Sequence, residues 1–246
     1  VIHSNSQVGF NKAQSAKSRV MEINPEVRVE IWEHRLTPEN SIEIFQKGWD
    51  LVIDGTDNIP TRYLIDDTCS ILNLTWIYGS IYRFEGQVSV FNYDGGPSYR
   101  DLFPEPPPSD SIPSCADGGV LGVLPGVIGS IQATESIKVI LGIGEILSGR
   151  LLIYDAEKME FSRLKFEKLP DRVNIHDLEK SMQLFIEEGW CENKSSDIDR
   201  DVEVPNTPDP VSMFSNISAA DCVKRRSEGW NPFLLDVRSD REFEQV

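Results

Sequence analysis

The stretch from Asp50 to Arg62, Asp-Leu-Val-Ile-Asp-Gly-Thr-Asp-Asn-Ile-Pro-Thr-Arg, constrains the rest of the chain more than any other. Its apolar run, Leu51-Val52-Ile53, reads as a buried parallel strand that stops at polar residues. Pro60, a residue favoured in a first helical turn, then marks the start of a helix. Asp54, Thr56, Asp57 and Asn58 therefore fall at the carboxyl end of a strand, beside a helix amino terminus. In open α/β sheets ligands bind at this place, and the helix end favours phosphate. A carboxylate so placed is either a helix cap or the holder of a metal ion that bridges phosphates.

The flanking pattern supports such a sheet. Val8, Ala13, Ala16, Val20 and Ile23 share one side of a predicted helix over residues 9–24, which Asn24-Pro25 ends. Val27 to Trp32 alternates like a strand, and residues 38–47 read as a short amphipathic helix. A helix over residues 59–72 and a strand over 75–80 follow. This alternation is the later part of a doubly wound, Rossmann-like α/β sheet, whose first strand and glycine-rich turn are expected upstream of Val1. Beyond Ser80 the pattern turns antiparallel: residues 86–93 alternate, and Asp94-Gly95-Gly96-Pro97 makes a turn. Residues 102–113, with five prolines, predict a long loop. A helix carrying Ile128, Ile131, Ile137 and Ile140 comes next, then a hairpin of residues 150–155 and 160–166. A helix over 176–190, an acidic linker over 192–210 and a new strand over 233–238 complete the expected order.

Composition removes several classes. A net charge of −16 opposes binding to a phosphate backbone, so no nucleic-acid partner is expected. No apolar run is long enough to span a membrane, and no signal peptide is visible at Val1-Ile2-His3-Ser4. Cys69, Cys115, Cys191 and Cys222 form no CxxC pair, which points to a reducing, cytoplasmic compartment. Val1 in place of an initiator methionine, and an end at Phe243-Glu244-Gln245-Val246 without cap or turn, lead us to expect a piece cut at both ends.

Several stretches in order then resemble the MoeB/ThiF (HesA) family of ubiquitin-like-protein-activating enzymes. They are His3-Ser4 with Val8-Gly9 and Lys12; Asn24-Pro25; Asp54-Gly55-Thr56-Asp57-Asn58; Arg83-Phe84-Glu85-Gly86-Gln87; Tyr99-Arg100; Pro113-Ser114-Cys115 with Gly118-Gly119-Val120; and Gly129 to Glu135. Residues 217–246 resemble the opening of a rhodanese domain, with Leu234-Leu235-Asp236-Val237-Arg238 and Glu242-Phe243. The resemblance implies a partial adenylation domain over 1–168, a helix and acidic linker over 169–212, and a truncated rhodanese-like α/β domain over 213–246. It implies an enzyme that uses ATP and Mg²⁺ to adenylate the C-terminal glycine of a ubiquitin-like β-grasp sulfur carrier. That step serves molybdopterin, thiamine or tRNA-thiolation pathways, with a persulfide donor and a homodimer as further expected partners.

By the same resemblance Asp57 holds Mg²⁺, Lys12 contacts the phosphates, Thr56 and Asn58 line the nucleotide site, and Cys115 carries covalent or redox chemistry. Read alone, Lys12, taken to sit one turn into its helix, is a solvated helix lysine, Asn58 a cap and Asp54 structural. Arg83 and Glu85 read equally as site residues or as a buried pair at a strand turn. Gly79, Ser80 and Gly86 are small enough to leave a channel for a Gly-Gly tail, although turns use glycine too. The family's structural zinc would need CxxC pairs at residues 98–101 and near 170–172; neither exists, so no zinc is expected, with the hairpin and crossover held by packing alone. Without the upstream glycine loop the isolated chain is expected to bind ATP poorly and to be inactive. Two other classes fit parts of the pattern: a nicotinamide-dependent (NAD) Rossmann dehydrogenase, which leaves Lys12, Asp57 and the Cys115 loop unexplained, and a non-catalytic scaffold that docks a β-grasp carrier.

Overall fold

A computed structural model of the chain describes residues 3, 7, 9–107, 119–170 and 175–187. All of them lie in one compact unit, Val1–Asn193. Cys115, Cys191, Cys222, the acidic linker and the expected rhodanese-like strand lie outside the described residues.

A five-stranded sheet runs in chain order: β1 (Leu51–Ile53), β2 (Thr75–Tyr82), β3 (Glu85–Phe91), β4 (Arg150–Asp155) and β5 (Glu160–Lys165). β1 and β2 are parallel, and every later pairing is antiparallel. The helices are α1 (Lys12–Ile23), α2 (Pro38–Phe45), α3 (Ile59–Leu72), the single turn α4 (Tyr99–Leu102), α5 (Leu124–Leu141) and α6 (Glu179–Glu187). α3 makes the crossover between β1 and β2. It stops where Asn73 turns left-handed (φ 56°) and hands its amide back to Cys69 O.

The period of two along the strands divides the core into two layers. Trp76 and Tyr78 of β2, with Phe91 of β3, join Tyr63, Ile65 and Cys69 of α3 and Tyr99 of α4 in one cluster. Ile77, Val88 and Val90 point the other way, onto Leu124 and Ile128 of α5. β2 and β3 are therefore covered on both faces, as the alternation of strands and helices predicts, while every residue of β5 is exposed. α5 approaches very closely: a Cβ on Gly79 would overlap the Gln132 side chain, and one on Gly86 would overlap Ile128. These glycines leave no channel. They are notches in β2 and β3, each filled by a side chain of α5.

Other expectations are corrected. Val27 to Trp32 is not a strand, because alternation alone makes none without a ladder partner, and no described residue pairs with it. β1 is not fully buried; among the described residues it pairs only with β2, and Ile53 at its end is 54% exposed. Arg83 and Glu85 are no buried pair. Tyr82 pairs with Glu85, so Arg83 and Phe84 form a two-residue hairpin loop, with Arg83 at φ 49°. The loop tip faces water, where Arg83 lies over the Tyr82 ring and Glu85 accepts a hydrogen bond from Gln87.

Nor is packing alone what ties the hairpin to the helices. Asp66 accepts the amides of Tyr99 (3.0 Å) and Arg100 (3.2 Å), and Asp67 takes the Arg100 guanidinium in a fork at 2.7 and 2.8 Å. Ser181 of α6 donates to the same carboxylate at 2.6 Å. Asp101 accepts both Ser98 N (2.8 Å) and Leu169 N (3.0 Å), fastening the segment after β5 to α4. Both carboxylates of α3 are wholly buried, and their network runs through the position where the first CxxC pair would fall.

Candidate functional site

The turn between β1 and α3 is tied at Asp54, Thr56 and Asn58. Asp54 is 2% exposed, and its Oδ1 accepts both the amide and the hydroxyl of Thr56, each at 2.7 Å. The amide bond from a residue two positions on makes an Asx turn, and the hydroxyl reinforces it. Asn58 Oδ1 accepts Thr61 N at 3.0 Å, so Asn58 is the cap of α3. Arg62, one turn into α3, reaches back to donate to Thr56 O at 3.1 Å, while its Nε lies 3.8 Å from Asp54 Oδ2. Burial pushes the Asp54 carboxyl above the usual carboxylate range; the Thr56 bonds and the Arg62 charge oppose that rise.

The two readings of a carboxylate at this place thereby separate. Asn58 takes the capping role and Asp54 shapes the turn. Asp57, between them, is exposed, and among the described residues no hydrogen bond engages its carboxylate. A carboxylate held out beside a helix amino terminus suits a cation bridging phosphates, since Mg²⁺ in such sites takes one or two carboxylates plus substrate oxygens.

Lys12 is placed differently from expectation. It opens α1 rather than sitting a turn inside it, because Asn11 caps the helix through Ala13 N at 2.8 Å. Its side chain is exposed, and no described bond joins it to the β1–α3 turn. Gly9, just upstream, needs the left-handed φ of 90° that glycine alone adopts without strain. The start of α1 is anchored by Ser15, which is 4% exposed and bonded to His3 and Gln7, and by Gln14 to Glu33. The structure thus brings Thr56, Asp57 and Asn58 together in one turn and leaves Lys12 on a separate element. Cys69 is buried in α3, and burial raises its thiol well above the ordinary range, which suits an inert core residue. The chain that carries Cys115 re-enters the described residues at Gly119, where Leu121 N donates to Arg83 O at 2.8 Å.

Gln132 of α5 is the site residue that sequence reasoning passed over. Its Nε2 donates to Asp54 O (2.7 Å) and Ile77 O (3.2 Å), at the exit of β1 and the adjacent position of β2. A signal was available: Leu124, Ile128, Gln132 and Ser136 recur every four residues on the buried face of α5, and a glutamine at a core position needs hydrogen-bond partners.

Against known proteins, residues 1–174 match the ThiF family. The chain belongs to the ThiF family. It is 49% identical over 182 residues to the Mycobacterium tuberculosis protein named "Probable adenylyltransferase/sulfurtransferase MoeZ", covering 72% of this chain and 46% of that one. It is 44% identical to the sulfur carrier protein adenylyltransferase of Thermus thermophilus, covering 78% of this chain and 72% of that one. Along 99% of its length it is 38% identical to the adenylyltransferase and sulfurtransferase MOCS3 of Culex quinquefasciatus, of which it covers 54%. The chain thus spans about half the length of most of these curated relatives. Among solved structures, Escherichia coli MccB with ATP superposes at a TM-score of 0.59 and 13% identity, over 72% of this chain and 54% of that one. That likeness carries the fold, a Rossmann-type α/β architecture shared within the ThiF family.

Proposed function

We propose that the protein to which this chain belongs adenylates the C-terminal glycine of a ubiquitin-like β-grasp sulfur carrier. The observation that carries the reading is the β1–α3 turn, hydrogen-bonded on both sides of Asp57 and presenting its exposed carboxylate beside the capped end of α3. The curated names of the relatives support the substrate class. In the reaction a carboxylate oxygen of the carrier attacks the α-phosphorus of ATP, the bond to the β-phosphate breaks, and pyrophosphate leaves with the electron pair. Mg²⁺, when bound, neutralises the triphosphate so that the anionic carboxylate can approach. Asp57 is the residue that holds it, Thr56 and Asn58 line the nucleotide, and Lys12 meets the phosphates from the start of α1.

Cys115 is assigned covalent or persulfide chemistry on the carrier, with sulfur delivered by a persulfide donor through the rhodanese-like part. The division at residues 1–168, 169–212 and 213–246 belongs to the same reading and is supported by the match to MOCS3 along 99% of the chain. So do a homodimer, a cytoplasmic location and the absence of zinc. For the homodimer, Ile137, Ile140 and Leu141 of α5 offer an exposed apolar face. The test is carrier-dependent exchange of labelled pyrophosphate into ATP by the protein at its full length. Exchange that requires the carrier's terminal glycine is expected. No exchange with any β-grasp carrier, in a folded protein that binds ATP, would leave carrier docking without activation.

A further inference from the structure

β1 is only three residues long, and among the described residues its ladder runs to β2 alone. Its outer flank has no described partner, and its last residue, Ile53, is more than half exposed. Yet the Asp54–Asn58 turn is the place where the proposed chemistry needs a carboxylate set to within a fraction of an ångström. The side chains of the turn itself, Asp54, Asn58 and Arg62, fasten its residues to one another and to α3. Arg62 also lies over the Tyr78 ring of β2, 5.6 Å from its centroid, but these hydrogen bonds do not tie the backbone of the turn to the sheet.

Gln132 does. A single amide nitrogen, in a side chain 8% exposed, donates to Asp54 O and to Ile77 O. Asp54 N already donates to Ile77 O at 3.0 Å, so Gln132 closes a three-cornered junction of β1, β2 and α5 at the first residue of the turn. The junction exists only because Gly79 lacks a side chain: a Cβ there would occupy the place of the Gln132 amide. A few residues further along α5, Glu135 accepts Leu147 N at 2.9 Å, which sets the helix against the segment before β4. α5 is thus fixed independently of the turn and can serve as its reference.

We infer that Gln132 is a positioning residue: through the notch at Gly79 it locks the exit of β1 to β2 and α5, and so sets where Asp57 meets the nucleotide's phosphates. This rests on the adenylation reading above, and it makes the Gly79–Gln132 pair a unit. A side chain at position 79 and an amide at position 132 exclude each other. Orientation of this kind acts on the transition state more than on nucleotide affinity, because a displacement of about 1 Å can lower a rate about 100-fold.

The test uses the full-length protein with Gln132→Met, which keeps length and apolar packing but removes the donor, and with the double variant Gly79→Ala/Gln132→Ala, which refills the notch with a methyl group. Both are measured for carrier-dependent pyrophosphate exchange, for KM of ATP, for thermal melting and for amide hydrogen exchange residue by residue. In both variants we expect kcat to fall about 100-fold with KM for ATP within about 3-fold. Hydrogen exchange at Thr56 N should quicken about tenfold or more while amides of the β4–β5 hairpin keep their protection. Return of wild-type kcat in the double variant would overturn the inference, since the notch would then matter only for packing. So would unchanged protection at Thr56, or a uniform loss of protection across the sheet. If the unsubstituted protein shows no exchange at all, it is the adenylation reading that fails, and protection at Thr56 still decides the role of Gln132. Should Gln132→Met not fold, the double variant carries both measurements.

Discussion

α3 carries two arginine–aspartate contacts, one towards each end, and they are built in opposite ways. Near its start, Arg62 Nε stands 3.8 Å from Asp54 Oδ2, an oxygen that is buried yet accepts no hydrogen bond among the described residues. Five residues on, Asp67 holds Arg100 in a bidentate fork, with Ser181 on the same carboxylate and the Tyr63 ring 4.5 Å from the guanidinium carbon. Burial alone would make the Arg100 guanidinium easier to deprotonate, but the Asp67 and Asp66 carboxylates more than offset this and hold its pKa above the ordinary range. The closed pair fastens α3, α4 and α6 together. The open contact leaves Asp54 Oδ2 without a hydrogen bond among the described residues, close in sequence to the exposed Asp57, where the proposed nucleotide site would use it.

The comparison can be broken most heavily at its closed end. Arg100→Met should destabilise the fold by about 3–5 kcal/mol, because the Asp67 charge is then left buried with only a hydroxyl for company. Urea denaturation checks this. Asp57→Ala should do the reverse. It should lower carrier-dependent exchange about 100- to 1000-fold, as losing one electrostatic contact to a reacting group does, while stability moves by less than about 0.5 kcal/mol. A matching loss of stability would mean that Asp57 belongs to the framework. Asn58→Ala should cost about 1 kcal/mol through the lost cap, seen as a lower melting temperature.

A finer test addresses the open contact at Asp54. Its carboxyl titrates higher in the folded protein than in the unfolded chain, so between those two values the folded state binds more protons. Stability contributed by this group is therefore present below the unfolded value, near 3.8, and declines as pH rises through the folded value. Asp54→Asn removes this titration, so the melting temperature of the wild type minus that of the variant should fall as pH rises from about 4 towards neutrality. A flat difference would show that Asp54 carries no raised pKa and that the open contact is as settled as the closed one.

Much of this was legible along the chain. The run from Leu51 to Arg62 spells strand, turn, cap and helix in residues that touch one another, and the structure keeps that order, with Asn58 as cap and Pro60 in the first turn. The β4–β5 hairpin was legible for the same reason. The alternation of Val27 to Trp32 misled because a strand is defined by its neighbour, and none is described there. Asp66 and Asp67 look like solvated helix carboxylates in sequence, yet both are wholly buried, since Arg100 and the amides of α4 arrive from more than thirty residues away.

By itself, then, the sequence determined the local devices of the site: the turn residues, the cap and the exposed carboxylate, all set by φ preferences and bonds spanning two or three residues. Only the tertiary structure decided what Gly79 and Gly86 are for. A missing Cβ reads equally as a channel or a notch until α5 is laid across the sheet and Gln132 and Ile128 fill the space. Side-chain volume is a property of the residue, but which atoms claim the space beside it is settled by packing between segments far apart in the chain.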